Sequence, residues 1–273
     1  MKKDNPYNSV KANLLEVITE SPSIKTFVFN LMSPFSFATG QFVELYVPGV
    51  GEAPFTPSSN PSKTDKIDIT IMKVGKVTSR LHSLNKTEVL GIRGPYGRGY
   101  PLDNFKGKEI FIVGGGVGLA PLRSLIFALL NEKSKYKKII LRYGARTPED
   151  IIYKSLVRQW QNSKDVDVKL TVDRADSSWK ENIGVVTTIL SKNDVDITNA
   201  VGVVCGPPIM MKFATLKLLE MGFQDSQIFL SMEKNMSCGF GKCGHCRIGN
   251  YYCCKDGPVF TYKEIKDFPE IWD

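Results

Sequence analysis

Along the chain, apolar positions first recur in short bursts at 12–17, 25–30, 41–46, 66–72 and 88–93, each rich in β-branched and aromatic side chains. Turn formers such as Ser33-Pro34 and Pro48-Gly49-Val50-Gly51 separate them. Bursts divided in this way predict strands, and their spacing predicts a small antiparallel barrel. One helix, over 78–84, interrupts them. From 108 the pattern changes. Continuous apolar runs at 109–113, 138–143, 166–172, 201–205 and 227–232 alternate with helical segments at 121–130, 149–160 and 209–221. Strands covered on both faces read as unbroken apolar runs, and their alternation with helices predicts βαβ units in a doubly wound parallel sheet. The last stretch is rich in Cys and Gly and too short to build a core alone, so it needs a metal staple or a docking surface. The expected organisation is a β-barrel over 1–105, an α/β domain over 106–232 and a small module over 233–273.

Composition narrows the function. A chain of 273 residues, 42% hydrophobic and 23% charged, is ordinary globular protein with room for two domains and an appendage. The formal net charge is +8, but the lysines are scattered, with no block of like charge and no basic face interleaved with aromatics. Nucleic-acid binding is therefore not expected. No apolar run approaches the ~18 residues of a membrane span. The polar first ten residues, with Pro6, lack the pattern of a secretory signal, and a cytoplasmic location is expected.

Five of the six cysteines fall between Cys238 and Cys254, and in a reducing compartment such crowding indicates a metal site. Cys238, Cys243 and Cys246 follow C-x4-C-x2-C, the spacing of plant-type 2Fe–2S ferredoxins, which takes a fourth cysteine further on. Structural zinc is the alternative, but it usually uses two separated C-x2-C knuckles and only one is present. A Rieske centre needs two histidines, and His245 is the only one nearby. Spacing leaves the fourth ligand open between Cys253 and Cys254.

Two further segments have the form of a ligand site. Ile110-Phe-Ile-Val-Gly114-Gly115-Gly116-Val-Gly118-Leu-Ala120-Pro121 is a strand, a glycine turn and a helix start. Such glycines allow a pyrophosphate to approach a helix N-terminus, and Pro121 suits the first helical turn. Cys205-Gly206-Pro207-Pro208 closes the fourth apolar run, where open α/β sheets bind ligands. Cys205 there is a polarizable group suited to lie beside a flat ring.

In this order, these segments resemble the ferredoxin–NAD(P)H reductase superfamily. Gly114–Pro121 is similar to its pyrophosphate turn, and Cys205-Gly206-Pro207-Pro208-Ile-Met210 to its C-G-P-x-x-M segment. The cysteine-rich tail, ending Cys254-Lys-Asp-Gly-Pro-Val-Phe, narrows the match. It resembles the electron-transfer subunit of dihydroorotate dehydrogenase, and more closely the gamma subunit of cytosolic nickel–iron (sulf)hydrogenases and the corresponding subunit of anaerobic sulfite reductase. Gly49–Pro54, Val74–Thr78, Arg93-Gly-Pro-Tyr-Gly97 and Tyr143–Asp150 match as well.

The resemblance implies that Cys254 is the fourth ligand, beside Cys238, Cys243 and Cys246, and that Cys253 is a bystander. It implies FAD on the barrel at Ala53, Pro54, Phe55 and Thr56, at Ile71, Met72 and Lys73, and at Gly75, Val77 and Thr78. Ala53 stands where the superfamily's R-x-Y-[ST] motif carries Arg. Without the family, Thr78 would simply be a helix N-cap. NAD(P)H is expected at Gly114, Gly115, Gly116, Gly118, Ala120 and Pro121 and at Gly206, Pro207 and Met210, with Cys205 positioning the nicotinamide. Arg142, Arg146 and Arg174 are the candidates to meet a 2′-phosphate, and Arg146 matches a position common in the relatives. The function implied is an NAD(P)H-dependent flavin and iron–sulfur oxidoreductase subunit of a heteromeric complex, exchanging electrons with a hydrogenase- or sulfite reductase-type partner. The alternative is a zinc-stabilised nucleotide sensor or assembly module without turnover.

Overall fold

A computed structural model describes residues 5–84 and 88–272. Residues 1–4 and Asp273, at the ends of the first and last expected regions, lie outside the described residues.

The first region is a six-stranded sheet built from β1 (Val10–Ser21), β2 (Ile24–Leu31), β3 (Phe42–Val47), β4 (Gly51–Phe55), β5 (Lys66–Met72) and β6 (Val89–Tyr96), with α1 (Lys76–His82) between the last two. The order is β4-β3-β6-β1-β2-β5 and every pairing is antiparallel. Side chains alternate across each strand. Phe27, Phe29, Val43, Leu45, Ile67, Ile69, Leu90 and Ile92 fill the interior. Phe42, Glu44 and Arg93 take the opposite face of β3 and β6, yet they too are buried, because the C-terminal module covers that face.

The second region alternates β7 (Glu109–Gly115), α2 (Leu119–Asn131), β8 (Lys138–Ala145), α3 (Lys154–Asn162), β9 (Asp167–Val172), β10 (Asn182–Ile183), β11 (Ala200–Cys205), α4 (Pro208–Met221) and β12 (Ile228–Ser231). Ile110 to Val113 are fully buried, as the unbroken apolar run requires. The last region contributes β13 (Arg247–Ile248), β14 (Tyr251–Tyr252), α5 (Cys253–Asp256), β15 (Val259–Thr261) and α6 (Tyr262–Ile265). β15 adds antiparallel to β12, giving a seven-stranded sheet ordered β10-β9-β8-β7-β11-β12-β15. The small module thus gains its core by sharing the sheet of its neighbour.

Two expectations need correction. The helix expected over 149–160 begins only at Lys154, after Tyr153 at φ 54°, the one positive-φ residue other than glycine among those described. That conformation costs about 1–3 kcal/mol for a bulky residue and persists only where its surroundings fix it. Here the Tyr153 N–H donates to Glu20 at 2.8 Å, its hydroxyl bonds Thr70 of the barrel, and the Arg123 guanidinium lies 4.6 Å from its ring. Thr78 is not the N-cap of α1 either. Gly75 holds that place, and the Thr78 hydroxyl accepts from the N–H groups of Val74 and Gly75 at 2.9 and 2.8 Å. No helix among the described residues is long and apolar enough to cross a membrane.

Candidate functional site

The strand order reverses between β7 and β11, which lie side by side with Gly114 opposite Cys205. Such a switch point opens a crevice beyond the carboxyl ends of the strands. Both ligand-like segments of the sequence meet there. A Cβ on Gly118, the N-cap of α2, would stand 2.5 Å from the Cys205 carbonyl oxygen and 2.6 Å from Gly206 Cα. Only glycine permits that approach. Ala120 and Pro121 complete the first turn of α2, and the Met210 side chain lies over Gly115 and Gly206. Gly116 and Pro207 lie at the rim, where neither is fully buried. Burial pushes the Cys205 thiol up to about 12. A thiol held protonated in this way is not activated as a nucleophile.

Of the three arginines at this edge, Arg142 must be withdrawn. Its side chain is fully buried and its guanidinium is shared by Asp167 at 3.0 Å and Asp194 at 2.9 Å. Arg146 and Arg174 are exposed beyond the ends of β8 and β9, and the Arg146 carbonyl accepts the Arg174 N–H at 2.9 Å. Arg142→Met is expected to destabilise the fold by about 2–3 kcal/mol in denaturant unfolding. This lies below the usual range for a broken buried pair because Asp167 stays partly solvated.

On the barrel, Ala53, Pro54 and Phe55 close β4, and Thr56 follows directly. All four are half-buried, leaving part of each available to a ligand. Just beyond them the Ser59 hydroxyl is buried with no hydrogen-bond partner among the described residues. A half-covered strand beside an unsatisfied donor fits a flat polar cofactor. Met72, Lys73 and Gly75 are exposed and Val77 is half-buried, but the Ile71 side chain belongs to the barrel core and its carbonyl is engaged by His82 at 2.9 Å. Ile71 is thus left without side-chain access to a ligand. The Thr78 hydroxyl is likewise committed to its own loop, donating to the Gly75 carbonyl at 3.0 Å.

In the module the Cys243 N–H donates to the Cys238 sulfur at 3.5 Å and the Cys254 N–H to the Cys246 sulfur at 3.4 Å, which sets the four cysteines as two neighbouring pairs. Backbone N–H groups are aimed at the sulfurs: Gly241 donates to Cys254 at 3.0 Å, Lys242 to Cys238 at 3.2 Å, and Cys254 to Cys246 at 3.4 Å. Burial raises the Cys238 thiol, but the N–H groups of Cys243, Phe240 and Lys242 outweigh it and bring it down to about 6. Among the described residues no three ligand-type side chains converge on one ion position. Four thiols lined by N–H donors fit a 2Fe–2S cluster, which Cys238, Cys243, Cys246 and Cys254 would hold. Cys253 points away, its sulfur facing the Met232 carbonyl at 3.6 Å. Cys243 is exposed, whereas Cys238, Cys246 and Cys254 are buried.

The sequence reading missed the junction between this loop and the barrel. Arg93, 3% exposed, donates to the Cys238 carbonyl at 2.8 Å and to Glu52. Beside it Glu44 is buried, neither carboxyl oxygen is hydrogen-bonded among the described residues, and burial pushes that carboxyl up to about 8 against the pull of Arg93. The available signal was a charged residue set inside each of two apolar strands, Phe-Val-Glu44-Leu and Leu-Gly-Ile-Arg93.

Comparison with known proteins agrees region by region. A family model described as an oxidoreductase FAD-binding domain matches residues 11–100, an oxidoreductase NAD-binding domain matches 112–215, and the iron–sulfur cluster binding domain of dihydroorotate dehydrogenase B matches 233–266. Sulfhydrogenase 2 subunit gamma of Pyrococcus furiosus is 36% identical, over 94% of this chain and 96% of its own length. A probable dihydroorotate dehydrogenase B (NAD(+)) electron transfer subunit of Pyrococcus horikoshii is 34% identical, over 94% and 92%. Among solved structures, that of an NADH-dependent reduced ferredoxin-NADP oxidoreductase, studied for flavin-based electron bifurcation, superposes with a TM-score of 0.75 at 25% identity, covering 99% of this chain and 93% of that one. With barrel, nucleotide sheet and cysteine module each matched in order, and with relatives matched over 94% of its length, this chain belongs to the family of flavin- and iron–sulfur-binding oxidoreductase subunits that includes the sulfhydrogenase gamma and dihydroorotate dehydrogenase B electron transfer subunits.

Proposed function

We propose that this chain carries electrons between NAD(P)H and a partner redox subunit of a hydrogenase- or sulfite reductase-type complex. When bound, the nicotinamide supplies a hydride, FAD divides its electron pair, and a 2Fe–2S cluster passes the electrons on singly. The observation that carries the reading is the grouping of Cys238, Cys243, Cys246 and Cys254 into two N–H-lined pairs on the outer face of the barrel. The chain's own residues bind and orient. Gly118 and Gly206 bring the two turns of the nucleotide edge together, and Cys205 gives the nicotinamide a protonated, polarizable neighbour. β4 and the loop after β5 offer the flavin a half-covered face. The exposed Cys243 marks the side from which a partner would take electrons. The same reading divides the chain at 105/106 and 232/233, and cysteines kept for an iron–sulfur cluster suit a reducing compartment, the cytoplasm.

The reading is tested by reconstituting the chain with FAD and iron, adding NAD(P)H without oxygen, and following flavin and iron–sulfur absorbance. Bleaching of both supports it. A zinc-loaded chain without turnover toward an artificial acceptor contradicts it and favours a nucleotide sensor. Arg146 is assigned to the 2′-phosphate. Arg146→Ala is expected to raise the KM for NADPH about tenfold, the loss of one charge-assisted contact, while leaving that for NADH nearly unchanged. Steady-state kinetics with both nucleotides checks this.

A further inference from the structure

Arg93 is the point at which the barrel grips the cluster loop. It stands on β6 opposite Glu44 of β3, and every arm of its guanidinium is used. Nη1 donates to the Cys238 carbonyl at 2.8 Å and to the Tyr96 hydroxyl at 3.0 Å, and Nη2 lies 3.4 Å from the Ser237 carbonyl. Nε and Nη2 form a two-pronged pair with Glu52. The Tyr7 and Tyr96 rings lie at 5.7 and 5.3 Å from the guanidinium carbon. The bonded carbonyls belong to the first cysteine of the cradle and the residue before it. The loop then turns at Gly239, φ +85°, where a Cβ would come within 3.3 Å of Glu44 Oε1. A fixed, buried cation therefore touches the peptide of one member of the proposed ligand set, balanced by a half-exposed carboxylate on its far side.

We propose that Arg93 is a positioning residue for the cluster: it fixes the backbone at Cys238 against the barrel and, through its buried charge, favours the cluster in its reduced form. This rests on the iron–sulfur reading above. Reduction adds one negative charge to a site already surrounded by thiolates. Net charge and hydrogen bonding around the sulfurs set the potential of such clusters. A cation held out of water stabilises the added electron more than a solvated one would. Glu52 opposes it, and its greater exposure weakens its effect without changing the sign.

The test is a redox titration of the reconstituted full chain, read by the paramagnetic signal of the reduced cluster, for wild type, Arg93→Lys, Arg93→Met and Glu52→Gln. Arg93→Met is expected to lower the ratio of reduced to oxidised cluster at fixed potential at least tenfold, a 59 mV downward shift for one electron. Glu52→Gln is expected to move it upward, and Arg93→Lys to restore most of the wild-type value. A merely structural role would not produce opposite signs in two variants that break the same ion pair. Reduced-to-oxidised ratios that stay within threefold of wild type at fixed potential, or midpoints that move together in Arg93→Met and Glu52→Gln, overturn the proposal. Should Arg93→Met take up no iron, Glu52→Gln decides alone, and an unmoved midpoint overturns it. A wild-type chain with no such signal sinks the cluster reading instead.

Discussion

Replacing Cys254 with serine is expected to abolish the paramagnetic signal of the reduced chain, whereas Cys253→Ala keeps it. The two residues are adjacent in α5, and neighbours on a helix point about 100° apart, so only one of them can face the cradle. The Cys254 sulfur lies inside it, accepting the Gly241 N–H and paired with Cys246. The Cys253 sulfur faces the Met232 carbonyl and is packed among apolar side chains, where burial holds the thiol protonated. Cys253→Ala should therefore cost only about 1 kcal/mol of packing. Loss of one thiolate also removes binding energy that the module uses to fold, so Cys254→Ser should lose iron and melt its last forty residues early. Iron analysis and spin counting on both variants check the pair of outcomes. Equal loss of iron in the two, or loss in Cys253→Ala alone, would reverse the assignment.

The other large effect is expected at Gly118. An alanine there sets its methyl carbon against the Cys205 carbonyl and Gly206 Cα. All of these are backbone atoms, so the clash is relieved only by parting α2 from the turn after β11. Overpacking of this kind costs about 1–3 kcal/mol, which a chain with extensive buried cores tolerates. Function is more exposed, because the two turns together form the nucleotide edge. A displacement of about 1 Å in a positioning element lowers rates on the order of a hundredfold. Gly118→Ala is expected to lose about that much of its NAD(P)H-driven flavin reduction while dithionite still reduces both centres normally. Rapid-mixing measurements with the two reductants separate the cases. Wild-type rates with NAD(P)H would show that the switch point is not where the nucleotide binds.

Much of this was legible in the sequence because the signals are local. The unbroken runs of β7 and β11 and the glycines at 114–118 announce themselves within a few residues. The two turns come together because parallel pairing sets Gly114 beside Cys205. The cysteine spacing points to the cradle but leaves the fourth ligand open between Cys253 and Cys254, and only the family resemblance chooses Cys254. What escaped depends on distant partners. β4 contains Pro54 and no fully buried residue, so no apolar run marks it, and it sits at a sheet edge where proline is tolerated. β15 follows a Gly-Pro turn and is three residues long, and it is a strand because β12 offers it an edge. The start of α3 is displaced by contacts from Tyr153 to the barrel. Arg142 looked available because the two aspartates that bind it lie 25 and 52 positions away in the chain. Arg93 and Glu44 broke the apolar pattern of their strands, but only the fold shows that the cluster loop covers them.

The most direct test of the whole account is an anaerobic titration of the reconstituted chain with NAD(P)H, with the spins counted by paramagnetic resonance and the metals by elemental analysis. The account predicts two irons and one flavin per chain, and a nucleotide-driven signal approaching one spin. Stoichiometric zinc, no signal, and a flavin that the nucleotide leaves oxidised would contradict it.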